Sequence, residues 1–106
     1  AGFASGQLFL IRFPHHPRSR IHPEQGQVEL YSDDTADEDA GLLEMEVHAP
    51  YRTLKPGEEM EAVEWWTVLP YHGADTREAQ VAFLCGEAAK RMELANLCGG
   101  WKRETP

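Results

Sequence analysis

Residues 41–69 carry the clearest pattern of apolar and polar positions in the chain. Leu43, Met45 and Val47 alternate with Glu44, Glu46 and His48, the period-two signature of a strand with one dry face and one wet face. Residues 49–57 then hold Pro50 and a Pro56-Gly57 pair. Proline fixes φ and removes a backbone donor, and glycine permits positive φ, so the chain must turn there. A second strand is expected over 59–69, with Met60, Val63, Trp65, Trp66, Val68 and Leu69. Its apolar residues occupy both faces after Val63, as in a strand that runs from a rim into a covered interior. The two strands read as a hairpin around which the rest is organised.

Upstream, residues 8–13 (LFLIRF) form an almost continuous apolar strand in which Arg12 is the only charge. Residues 14–27 have three prolines and no apolar period, and read as a long loop. A further strand is expected over 27–32, with Val28 and Leu30 on one face and Glu29 and Tyr31 on the other. Residues 33–40 hold five acidic residues in eight and read as a solvated turn. Read as a Ca²⁺ loop starting at Asp33, the segment fails, because Glu38 stands where glycine is required.

Downstream, residues 70–74 break the sheet pattern. Asp75 and Glu78 have the spacing of a capping box. Val81, Leu84, Cys85, Ala88, Met92 and Ala95 then recur at three- and four-residue steps, predicting one amphipathic helix from Arg77 to about Cys98. Gly99 and Gly100 would end it. On one helix, Cys85 and Cys98 would lie about 20 Å apart at about 1.5 Å per residue. A disulfide needs Cα atoms within roughly 7 Å, so the expectation is two unpaired thiols and a cytoplasmic setting.

Composition narrows the classes. The 106 residues suit a single domain, with a β-sheet region over 6–69 and a helix over 75–98. The net charge of −8 argues against nucleic acid or an anionic membrane as partner, since both need clustered Lys and Arg. No run approaches the roughly 18 apolar residues of a membrane span, and no stretch reads as a signal peptide. The first residue is Ala1, which suits a processed product or a piece of a larger protein.

The candidate chemistry is a row of polar groups on the strand before the Pro-Gly turn. Glu44, Glu46 and His48 project from one face at steps of roughly 6.5–7 Å. Two carboxylates so placed, one of them partly desolvated, can divide acid and base duties. The alternative is an ordinary solvated sheet face. His15, His16 and His22 read as loop residues, because no Asp, Glu or Cys stands at ligand spacing beside them, and neither a metal nor a cofactor is expected. Arg18 and Arg20 are either surface charges or binders of hydroxyl or carboxylate groups. Of Trp65 and Trp66, one is expected in the core. The other finds a second layer or stacks on a ligand.

The segment LEMEVHAPYRTLKPGEEMEAVEWWTV, with LFLIRF, Pro23, Gly26 and VELYS before it, resembles the C-terminal strand pair of the aldose 1-epimerase (galactose mutarotase)-like β-sandwich superfamily. Its uncharacterised bacterial members are the nearest in kind. The likeness covers residues 6–69 and leaves out the helix. It implies a sugar ligand and makes Glu46 the general base, with Glu44, His48, Arg12 and Trp65 lining the sugar face. The histidines and the aspartate of that family's site come from earlier strands that this chain does not match. Ile11 also stands where a basic residue is often found, and Arg12 should point to the other face.

The expectation is therefore an α+β chain, mainly antiparallel β. It is a partial mutarotase-like β-sandwich of about four strands followed by a long C-terminal helix. Its sheet is covered by its own helix, by a second copy, or by the rest of a larger chain. The expected function is carbohydrate binding in a homo-oligomer. The alternatives are a non-catalytic interaction domain or a fragment of a larger epimerase-like enzyme.

Overall fold

The computed structural model describes residues 1–33 and 35–99. It is an α+β protein with five strands, three in one sheet and two in another, followed by one helical segment. The contacts divide the chain into two compact units.

The first unit comprises Phe3–Leu10 with Thr67 onward. Strand β1 (Gly2–Ala4) turns into β2 (Gln7–Arg12) through Ser5 and Gly6 alone. Both have positive φ, 53° and 71°, which is the twist a two-residue hairpin loop needs. The three-stranded sheet has the order β1-β2-β5, where β5 is Trp65–Pro70. In β2, Leu8 and Leu10 are buried, while Phe9 and Ile11 on the other face are half-buried. Tyr71 donates its backbone N–H to the Gly6 carbonyl. Its ring packs edge-on against Phe3 at 4.9 Å and lies 5.0 Å from Phe83.

Helix α1 (Arg77–Phe83) begins one residue later than a cap at Asp75 would place it. The Thr76 hydroxyl accepts from the Ala79 N–H, and Asp75 instead accepts from the Gln80 side chain. A π turn over Leu84–Ala88 follows, then α2 (Ala89–Arg91). The wider turn rotates the inward face, so Ala88 and Ala89 are both buried, Leu94 is half-buried, and Ala95 is exposed.

The expected helix to Cys98 is not formed. Glu93 takes φ 56°, with Leu94 N–H donating to Ala89 and Glu93 N–H to Lys90. That is a Schellman stop with glutamate in the left-handed position where glycine is usual. The chain then reverses through turns at Leu94–Leu97 and Asn96–Gly99. Cys98 comes back to Cys85, with Cα atoms 5.5 Å apart, and the two are disulfide-bonded. The expectation of free thiols was wrong because it extended the helix one turn and more beyond its cap. The ground for a reducing compartment goes with it. Gly100, half of the expected stop, lies outside the described residues. No helix among the described residues is long and apolar enough to cross a membrane.

The second unit comprises Ile11–Trp66 with Gly2. Strand β3 (Val28–Asp33) pairs antiparallel with β4 (Leu42–Val47), Leu30 facing Met45 and Glu29 facing Glu46. This corrects the expected hairpin: β4 pairs with β3, while β5 belongs to the other sheet beside β2. The turn at Pro56-Gly57 is real. Glu58 N–H reaches Lys55 C=O, and Gly57 has φ 87°, a type II turn. It sits within residues 48–64, which form no strand, so β5 starts at Trp65 and not at 59. Neither tryptophan is in the core: Trp65 is 48% and Trp66 69% exposed. Among the described residues, Ile21 is the buried one of the second unit.

The disulfide closes a 13-residue separation, for which loop-closure entropy predicts about 3 kcal/mol. A Cys85→Ser, Cys98→Ser variant is expected to lose about that much in urea unfolding without reductant. An unchanged midpoint would contradict the closure.

Candidate functional site

The residues that follow β4 do not leave the sheet freely. They are tied to the long loop before β3. His48 donates its N–H to the Gln27 carbonyl at 2.8 Å, and Tyr51 donates to the Arg20 carbonyl at 2.7 Å. The first continues the β3–β4 register one step past the ladder, and the second, out of that register, ties Tyr51 to the turn at Arg18–Arg20.

The loop is itself ordered, which its composition does not suggest. A 3-10 turn spans Arg18–Arg20, and Ile21 behind it is buried at 4% exposure. The Arg18 guanidinium donates to three carbonyls of its own loop: Ile21, His22 and Pro23. The Gln27 side chain donates to the Pro14 carbonyl and accepts from the His16 N–H. The His22 ring packs edge-on against Tyr51 at 4.7 Å. Arg18, one of the two candidate binders in this loop, is thus spent on holding the loop.

Between these segments and residues 60–64 lies a cleft of about 280 Å³, near the small end of the range for small-molecule sites. Phe13, Pro50, Met60 and Val63 give it an apolar floor and sides. His16, Arg20, Gln27, His48, Arg52, Glu61 and Glu64 give it polar groups. Glu64 also accepts a hydrogen bond from the Trp66 indole.

Of the residues singled out from sequence, His16 and Arg20 line this cleft, and so does His48. The His48 side chain is 23% exposed, and Nε2 is 3.4 Å from Glu29 Oε2. That Nε2 is buried and makes no hydrogen bond among the described residues. The two observations agree once direction is considered: the carboxylate is near the ring nitrogen but is not in line with an N–H donor. The other oxygen of Glu29 accepts from the Gly26 N–H.

Glu44 and Glu46 are exposed on β4 and do not line the cleft. Glu46 stands across the ladder from Glu29, and Glu44 from Tyr31. The sheltered hollow expected over this row is not there; it opens one step further along the chain, at His48. Arg12 and Trp65 are also outside it. The Arg12 guanidinium lies 6.0 Å from the centre of the Trp65 ring, a cation–π contact at the outer limit of its range.

Gln27, Arg52, Met60 and Glu61 were missed. Gln27, Met60 and Glu61 were read as strand positions and Arg52 as part of a turn, and nothing in their spacing relates them to His48. No group of three or more His, Cys, Asp or Glu among the described residues is placed to hold a metal ion.

A family model described as a domain of unknown function (DUF4380) matches residues 1–69, and the chain belongs to that family. The match takes in β1 to β4, β5 up to Leu69, and every residue that lines the cleft, and leaves out the helix and its disulfide. No curated protein and no solved structure matches the chain.

Proposed function

We propose that this chain is a carbohydrate-binding protein related to the mutarotase-like sandwiches, and that it binds its sugar in the cleft at the end of β4. The observation that carries the reading is the composition of that cleft. Apolar surface from Phe13, Met60 and Val63 sits beside donors and acceptors on Gln27, His48, Arg52 and Glu61. Sugars present the same combination, C–H faces and a rim of hydroxyls. The loop wall is pinned in advance by hydrogen bonds, which lowers the ordering cost of binding. The assignment is binding alone. The resemblance would make Glu46 a base, but Glu46 stands outside the cleft and faces another carboxylate.

The exposed apolar face of the β3–β4 hairpin supports a homo-oligomer as a second element of the proposal. Val28, Leu30 and Leu43 share that face and are 53%, 68% and 59% exposed. A second copy laid over it would remove that surface from water.

Two measurements check these statements. In a thermal-shift panel of monosaccharides, at least one sugar should raise the melting temperature. The shift should vanish in His48→Gln and persist in Glu46→Gln. No shift with any sugar would overturn the binding assignment, and loss in Glu46→Gln alone would return the site to the acidic row. In sedimentation at micromolar concentration the protein should run as a dimer, and Leu30→Lys with Leu43→Lys should give a monomer. A monomeric parent protein would contradict the second element.

A further inference from the structure

Two arginines, Arg20 and Arg52, line the cleft. The chain has ten Lys and Arg against eighteen Asp and Glu, yet Arg91 with Glu87 is the one Lys or Arg ion pair among the described residues. Arg18 is spent on carbonyls, Arg91 pairs with Glu87, and Arg12 lies over Trp65. Arg20 and Arg52 have no side-chain hydrogen bond or ion pair among the described residues. Both line the same cleft.

Their meeting there is built into the backbone. The carbonyl of Arg20 accepts from the N–H of Tyr51, the residue before Arg52, at 2.7 Å. A backbone bond at neighbouring positions therefore brings the two arginines to the lining of one cleft. A guanidinium is a planar fork matched to carboxylate, and it donates but never accepts. Glu61 accepts but, ionised, does not donate. A neutral sugar can satisfy Glu61 through its hydroxyls, but it brings no charge to match the two arginines. A sugar that carries a carboxylate brings both.

We propose that the ligand class of this cleft is an anionic sugar, a uronate, with Arg20 and Arg52 taking its carboxylate and Glu61 taking hydroxyls. This rests on the carbohydrate-binding reading above and narrows it. The net charge of −8 opposes the approach of any anion, so the attraction is short-range and belongs to the two arginines rather than to the field of the molecule. At physiological salt, charges beyond about 8 Å are largely screened.

The test is a calorimetric titration of the full chain with D-glucuronate and with D-glucose, in low and high salt, for the parent protein, Arg20→Gln and Arg52→Gln. Glucuronate is expected to bind at least about tenfold more tightly than glucose, as for a charge-assisted pair. Its affinity should fall with salt while that of glucose does not. Each glutamine variant should bring the two sugars closer together. If glucose and glucuronate bind equally, this inference is overturned while the carbohydrate assignment stands. A preference that survives both variants places the carboxylate elsewhere and overturns it too. If neither sugar binds the parent protein, this inference falls, and the monosaccharide panel decides the carbohydrate assignment. The salt dependence of the unaltered protein decides the matter even where a variant does not fold.

Discussion

Two backbone hydrogen bonds beyond the end of a short ladder hold this structure's cleft together: His48 N–H to Gln27 C=O and Tyr51 N–H to Arg20 C=O. The β3–β4 hairpin has six residues in each strand and a face open to water, so by itself it is a weak scaffold. The first extends its pairing by one step and the second joins the irregular segments beyond it. They convert two irregular stretches into facing walls. Every polar group of the cleft other than Glu61 and Glu64 comes from one of those walls, and backbone geometry places each of them.

The strands were largely legible in the sequence, because alternation separates the two faces. It did not say which face is dry: Val28 and Leu30 are 53% and 68% exposed while Glu29 on the other face is half-buried. Leu8 and Leu10, Glu29 against Val28 and Leu30, and Glu44 against Met45 all lie on the faces their spacing implies. Strand pairing was not legible. The Pro56-Gly57 turn is a sound local signal, yet it does not join β4 to β5, since a turn fixes direction over four residues and not the partner of a strand. The helix end was missed for a related reason. Glutamate at 93 adopts a conformation usually left to glycine, which a reading from residue type places at Gly99. The disulfide was lost with it, because a distance along an assumed helix replaced the real path of the chain.

The candidate site shows the same division. The Glu44, Glu46 and His48 row is genuine as a row, and its spacing is that of a strand. Spacing says nothing of what covers a face, and only His48, past the end of β4, meets a cavity. Arg20 and Arg52 have no sequence relation to one another; what relates them is one carbonyl and one N–H. The family match over residues 1–69 encloses that whole arrangement and excludes the disulfide-closed helix. The residues of the cleft lie within the matched range and the helix lies outside it.

Native-state hydrogen exchange of the His48 and Tyr51 amides tests this account most directly. If the clamp builds the cleft, both amides exchange as slowly as the hydrogen-bonded amides of the β3–β4 ladder, and they lose protection together with it as denaturant is raised. Exchange at the rate of an open loop, with the ladder still protected, would mean that the two walls are not joined and that no fixed cleft exists for a ligand.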